Sequence, residues 1–204
     1  MEKFLYLDCE TGGLDPKKNP IIQLSGILEV PSKGILREFD LRLRPLPSDL
    51  VEDQALAVNG ITKEELTDPA RLEPIEAYKA LKSIFLTYVD RYDKKDKFYL
   101  IGQNVNFDYG FLLELWKRQG DDYLGSFIHH NKIDLIALTA SFKLAGVIKD
   151  QPEIGKPLPN MKLATLCKYF GLTDQSHDSL DDIRKTRQIY LRMVSALSTS
   201  GISL

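Results

Sequence analysis

Phe4-Leu5-Tyr6-Leu7-Asp8-Cys9-Glu10, halted by Thr11-Gly12-Gly13, is the stretch on which the fold turns. Aliphatic and aromatic side chains and one thiol surround two carboxylates placed two positions apart. The run is short, aromatic-rich and closed by glycines, so it reads as a buried strand and not as a helix. Side chains alternate along a strand, so Asp8 and Glu10 share a face with Tyr6 behind them, and Cys9 faces the opposite way. Two ionised acids side by side at a buried strand end repel each other and lose hydration. Such a pair is tolerated when a proton is shared or a cation neutralises it. The competing reading is a solvated strand end bearing two surface acids.

With 204 residues, 43% of them hydrophobic, the chain can bury a full core as one domain over residues 1–204. The first ten residues carry Glu2 and Asp8 without a long apolar run, so no secretory signal is expected. No stretch approaches the roughly 18 apolar residues of a membrane span, so no membrane partner is expected. Cys9 and Cys167, far apart, suit buried thiols in a reducing cytoplasm better than a disulfide framework. The formal net charge of −2 argues only weakly against a nucleic-acid partner. If four carboxylates belong to a cation site, the remaining surface is slightly positive, which suits modest binding of a strand end.

Ile21 to Val30 and Ile35 to Leu43 read as a strand pair around the turn Pro31-Ser32-Lys33-Gly34, giving a three-strand antiparallel start. Short helical pieces follow at Val51 to Val58 and Thr62 to Leu66, the second opened by a Thr62/Glu65 capping box. An apolar stripe predicts a helix over Pro74 to Tyr92. Phe98 to Ile101 is a short buried strand and Asn106 to Arg118 a helix. A strand end runs into a helix over Ile133 to Ala145, with Asp134 as cap. Lys149 to Pro159 is a long proline-rich loop, expected to border the substrate entrance. Helices over Met161 to Phe170 and Asp178 to Leu197 close the chain. The order predicts a mixed α/β sheet with helices on both faces.

Two further acidic positions stand at structural punctuation. Asp108 falls in the first turn of a helix that follows a buried strand, where complementing the helix dipole would suffice to explain it. In Ser176-His177-Asp178-Ser179-Leu180-Asp181-Asp182, three acids crowd a helix start, again an ordinary place for them. His177, however, precedes that helix and can swing over a metal site without occupying it. Together Asp8, Glu10, Asp108 and Asp182 supply oxygen ligands of the kind that hold magnesium or manganese and not zinc. Carboxylate clusters holding two such ions roughly 3.5–4 Å apart split phosphodiesters. A neutral imidazole with a pKa near its usual value of about 6.5 suits a general base.

Asp8-Cys9-Glu10-Thr11-Gly12, Asn104-Val105-Asn106-Phe107-Asp108, and His177 followed five positions later by Asp182 resemble the three motifs of the DnaQ-like, or DEDDh, 3′–5′ exonucleases. The resemblance spans Phe4 to about Leu197. Asp178 stands where the tyrosine branch of that family would carry its tyrosine, so the histidine branch fits. The resemblance implies a ribonuclease H-like sheet, three antiparallel strands followed by parallel ones, and release of 5′-mononucleotides from a nucleic-acid 3′ end. DNA is expected ahead of RNA, although the sequence does not write that choice. It implies two Mg2+, with Mn2+ able to substitute: Asp8, Glu10 and Asp182 on one ion, Asp8 and Asp108 on the second, and His177 as base. Thr11 and Gly12 would cradle the terminal sugar, Leu14 would wedge against the last base, and Asn104 and Phe107 would order the turn carrying Asp108. Asn59 stands where the family often has a histidine; asparagine can bond a base or sugar but stacks poorly. The implied partners are single strands or frayed 3′ ends, with a homodimer or a separate polymerase partner as open assemblies. A catalytically silent accessory module of the same fold is the alternative.

Overall fold

The computed structural model describes residues 1–151 and 158–199. Its centre is β1 (Lys3–Thr11), whose neighbours are β2 (Ile21–Val30), antiparallel to it, and β4 (Phe98–Gly102), parallel to it. β3 (Gly34–Arg42) lies outside β2 and β5 (Ile133–Asp134) outside β4, giving the order β3-β2-β1-β4-β5. The expected antiparallel start and parallel continuation are both present.

Alternation along β1 divides the core. Leu5, Leu7 and Cys9 pack on one face with α3 (Pro74–Tyr88) and α4 (Val105–Arg118), through Leu81, Phe85, Leu112 and Trp116. Tyr6 points to the other face, with Ile27, Ile101 and Ile183 of α7 (Ser179–Thr199). α5 (Leu135–Leu144) and α6 (Leu163–Phe170) pack against α7 in a separate cluster. Helices thus cover both faces, as two-faced burial of a mixed sheet requires. Cys9 and Cys167 are free and buried.

Element ends differ from expectation for local reasons. α1 (Asp53–Asn59) begins two residues late because Glu52 is still extended (φ −90°, ψ 131°), its amide donating to the Gly12 carbonyl. The capping box of α2 (Lys63–Leu66) forms as expected. α3 stops at Tyr88, not Tyr92, because Val89 turns extended and is buried. α6 begins at Leu163 after Asn160 receives the Lys162 amide, and α7 begins at Ser179 because His177 has a left-handed φ of 56°. The central part of the Lys149–Pro159 loop lies outside the described residues. Among those described, no helix is long and apolar enough to cross a membrane.

Candidate active site

The carboxylates of Asp8 and Glu10 leave β1 on the α7 face, where the neighbouring strands continue their rows. Asp8 pairs with Ser25 and Ser25 with Asp40; Glu10 pairs with Gln23 and Gln23 with Arg42. Directly after Glu10 the register slips: Glu10 pairs with Gln23 but Thr11 with Ile21, a bulge that leaves Ile22 of β2 unmatched at the end of the ladder. Burial, followed by repulsion from Asp182 and Asp178, raises the Asp8 carboxyl to about 7. Burial and then the charge of Asp8 raise Glu10 to about 9. Without a counter-charge, these groups therefore keep protons near neutrality.

α7 brings the third acid. Asp182 is 1% exposed, and its Oδ1 accepts from the Ser176 amide at 3.1 Å and the Ser176 hydroxyl at 3.3 Å. Its Oδ2 is buried and has no hydrogen-bond partner. A buried acceptor left unpaired costs roughly 1–3 kcal/mol, more when charged. Ligand atoms of Glu10, His177 and Asp182 lie within 4.8 Å of one another. The orphaned oxygen, the protonated acids and this spacing fit a divalent cation. Asp181, the sequence neighbour with which Asp182 could be confused, turns instead to the Ser176 hydroxyl and Lys185.

Asp8 and Asp108 do not join that tight group. Asp108 sits in the first turn of α4, and its Oδ1 accepts the Cys9 amide at 3.0 Å. Burial and the nearby Asp8 charge push its carboxyl well above the usual carboxylate range. Its turn is ordered from outside: Asp134 Oδ2 accepts the Val105 amide at 3.0 Å, and Asp134 Oδ1 accepts Ile136 N at 2.8 Å. Asp134 thus caps α5, as expected, and also receives the first amide of α4. Asn104 helps through its left-handed backbone (φ 58°) and its carbonyl, which accepts the Phe107 amide.

A cavity of about 280 Å³ opens beside Glu10 and brings together Thr11, Leu14, Val58, Asn59 and Phe107. Leu14 is 80% exposed, and Phe107 packs on Phe111 with ring centroids 4.9 Å apart. Asn59 donates its side-chain amide to the Thr11 carbonyl at 3.0 Å, so its donor shapes the cavity wall. Thr11 Oγ1 donates to the Gly13 carbonyl at 2.7 Å. Neither Gly12 nor Asn104 lines this cavity. The Gly12 amide donates to the Pro20 carbonyl, and a Cβ there would meet Pro20 Cδ at 2.8 Å. Its glycine is required by the chain's own close packing.

Sequence reasoning missed the polar residues beneath α7. Ser25 and Ser179 share a 2.6 Å hydroxyl contact, Ser25 donates to Asp40 at 2.8 Å, and Gln23 bridges Asp40 and Asp178. The available signal was the spacing of Gln23 and Ser25, two polar residues two apart in the largely apolar first half of a strand, matching Asp8 and Glu10 next door.

The exonuclease family model RNase_T matches residues 5–190 of the chain. The PolC-type DNA polymerase III of Thermotoga maritima is 28% identical over 201 residues, which are 98% of this chain and 12% of that polymerase. Ribonuclease T of Haemophilus influenzae (strain 86-028NP) is 23% identical over 205 residues, 97% of this chain and 81% of that enzyme. Among solved structures, the zinc-bound E. coli ExoI–ssDNA complex matches with a TM-score of 0.76 at 20% identity, covering 98% of this chain and 41% of that one. The chain therefore spans a small part of that polymerase and less than half of exonuclease I. The structural likeness is one of fold, the ribonuclease H-like mixed sheet.

Proposed function

The chain belongs to the exonuclease family, and from that premise we propose that it is a metal-dependent 3′–5′ exonuclease acting on single-stranded or frayed 3′ ends. The observation that carries this is the unpartnered Oδ2 of Asp182 in a group with Glu10 and His177. Asp8, Glu10 and Asp182 would hold one divalent ion, and Asp8 with Asp108 a second; Mg2+ is the proposed metal, with Mn2+ substituting. Bound ions of this kind neutralise the acids, ease deprotonation of the attacking water and stabilise the departing 3′ oxygen.

The chain's own groups do the rest. His177 accepts the proton of the attacking water at an imidazole nitrogen. The water oxygen joins phosphorus, the bond to the preceding 3′ oxygen breaks, and a 5′-mononucleotide leaves. The cavity wall at Thr11, Leu14, Asn59 and Phe107 receives the terminal nucleoside and favours ends over internal bonds. DNA is proposed ahead of RNA because the exonuclease I relative is an ssDNA complex. The buried free thiols suit a reducing cytoplasm, and the PolC likeness supports a polymerase partner.

The test is incubation with an end-labelled oligonucleotide in Mg2+ and then in chelator, on matched DNA and RNA, beside a closed circular single strand. Chelator-sensitive release of mononucleotides, with the circle intact, is expected. Cleavage of the circle, or no cleavage of any linear strand, overturns the reading.

A further inference from the structure

The sheet row that carries Glu10 continues through Gln23 on β2 to Arg42 on β3, and paired residues on adjacent strands share a face. Gln23 is 4% exposed. Its Nε2 donates to Asp40 Oδ1 at 2.9 Å and to Asp178 Oδ2 at 3.2 Å, and its Oε1 faces the Ser179 amide at 3.5 Å. Both ends of the amide are therefore engaged, one between two carboxylates and one at the first residue of α7. Asp178 in turn accepts the Asp181 amide on Oδ1 at 3.1 Å, capping the helix that carries Asp182. His177 is its immediate neighbour in sequence, at a positive φ of 56° that is uncommon for a non-glycine residue.

We propose that Gln23 is a positioning residue of the candidate active site: its amide latches the start of α7 to the row of Glu10 and so sets His177 and Asp182 against that acid. This rests on the exonuclease reading only for its consequence in the rate. The position demands a donor, because two acceptors converge on it. Arg42, 3.7 Å from Asp40 and 3.6 Å from Asp178, offsets their charge from outside but is largely exposed and not a substitute for the buried amide.

Gln23→Glu places a third carboxylate where the donor stood. Misplacing catalytic groups by about 1 Å can cost about a hundredfold, and kcat is expected to fall by about that factor with KM unchanged. Gln23→Glu with Asp178→Asn reverses donor and acceptor across the same contact and should recover part of kcat. The readout independent of turnover is Mn2+ broadening of the His177 imidazole signals, assigned with His177→Ala among the three histidines of the chain. Wild type should broaden strongly; Gln23→Glu, in which Asp182 is displaced as well, should bind Mn2+ more weakly and, with Mn2+ saturating, still broaden less. Unchanged kcat and broadening in Gln23→Glu overturn the proposal, as does a fall in kcat matched by a loss of thermal stability in chelator. A wild type that broadens but cleaves nothing removes the exonuclease reading and leaves the latch standing. A wild type that does not bind Mn2+ removes both.

Discussion

The Cys9 main-chain amide and the Asp108 carboxylate meet at 3.0 Å across 99 residues of chain. That bond fastens the first turn of α4 to the end of β1 and places one acid beside another without exposing it. Asp108→Asn preserves an acceptor for the Cys9 amide while removing the charge. The variant should fold with an unchanged melting temperature in chelator and lose nuclease activity. A melting temperature that collapses would show that the carboxylate is structural.

Asp182→Ala removes the oxygen that lacks a partner. At about 100 times its Kd, a ligand that binds only the folded state adds about 2.7 kcal/mol. Saturating Mn2+ should therefore raise the melting temperature of the wild type clearly more than that of Asp182→Ala, which keeps only the Asp8 and Asp108 pair. Differential scanning calorimetry with and without Mn2+ decides this; an equal rise in both proteins places the ion elsewhere.

His177→Ala separates a base from a ligand. Loss of a general base lowers kcat by roughly 10²–10⁴-fold, and the Mn2+-dependent gain in melting temperature should persist. If that gain disappears with the imidazole, His177 belongs to the metal's ligands, as its proximity to Glu10 and Asp182 would then explain.

The acids set a pH dependence for the metal-free protein. Asp8 and Glu10 hold protons more tightly in the fold, about 7 against 3.8 and about 9 against 4.5. Groups with raised folded values stabilise fully below their unfolded pKa and cease to do so as pH rises through the folded value. Stability in chelator should therefore decline from about pH 4 to about pH 9, and saturating Mg2+ should offset the decline above neutrality while releasing protons. Melting temperatures across that range, together with proton release on adding Mg2+ to weakly buffered protein, provide the check. A flat profile in chelator would contradict it.

Arg187 on α7 forks Glu29 on β2, with Nε to Oε2 at 2.9 Å and Nη2 to Oε1 at 2.6 Å. Glu29 is 6% exposed, and removing the guanidinium strands its charge. Breaking a buried pair costs roughly 3–5 kcal/mol, and Arg187→Ala should fall near the lower end because the arginine is partly exposed. Urea denaturation measures it, and Glu29→Gln in the same background should recover much of the loss.

Local patterns carried most of this in advance. Asp8 and Glu10 on one strand face, the Thr62 capping box, Asp134 as a cap and the order of the elements all follow from periodicity and short-range hydrogen bonding. The second bond of Asp134, to the amide of Val105, was not legible, because it depends on two helix starts meeting in space. Gln23 escapes local reading for the same reason: a buried polar residue on β2 gains its meaning from Asp178, 155 residues away.

The sequence by itself determined which acids are present, on which kinds of element they stand and in what order, since these depend on spacing along the backbone. Only the tertiary structure decided that Asp182 and not Asp181 is sealed from water, that one of its oxygens is left without a donor, and that Asp108 is turned to the Cys9 amide. Burial and pairing are properties of surfaces brought together by packing, and no stretch of chain read alone contains its own neighbours.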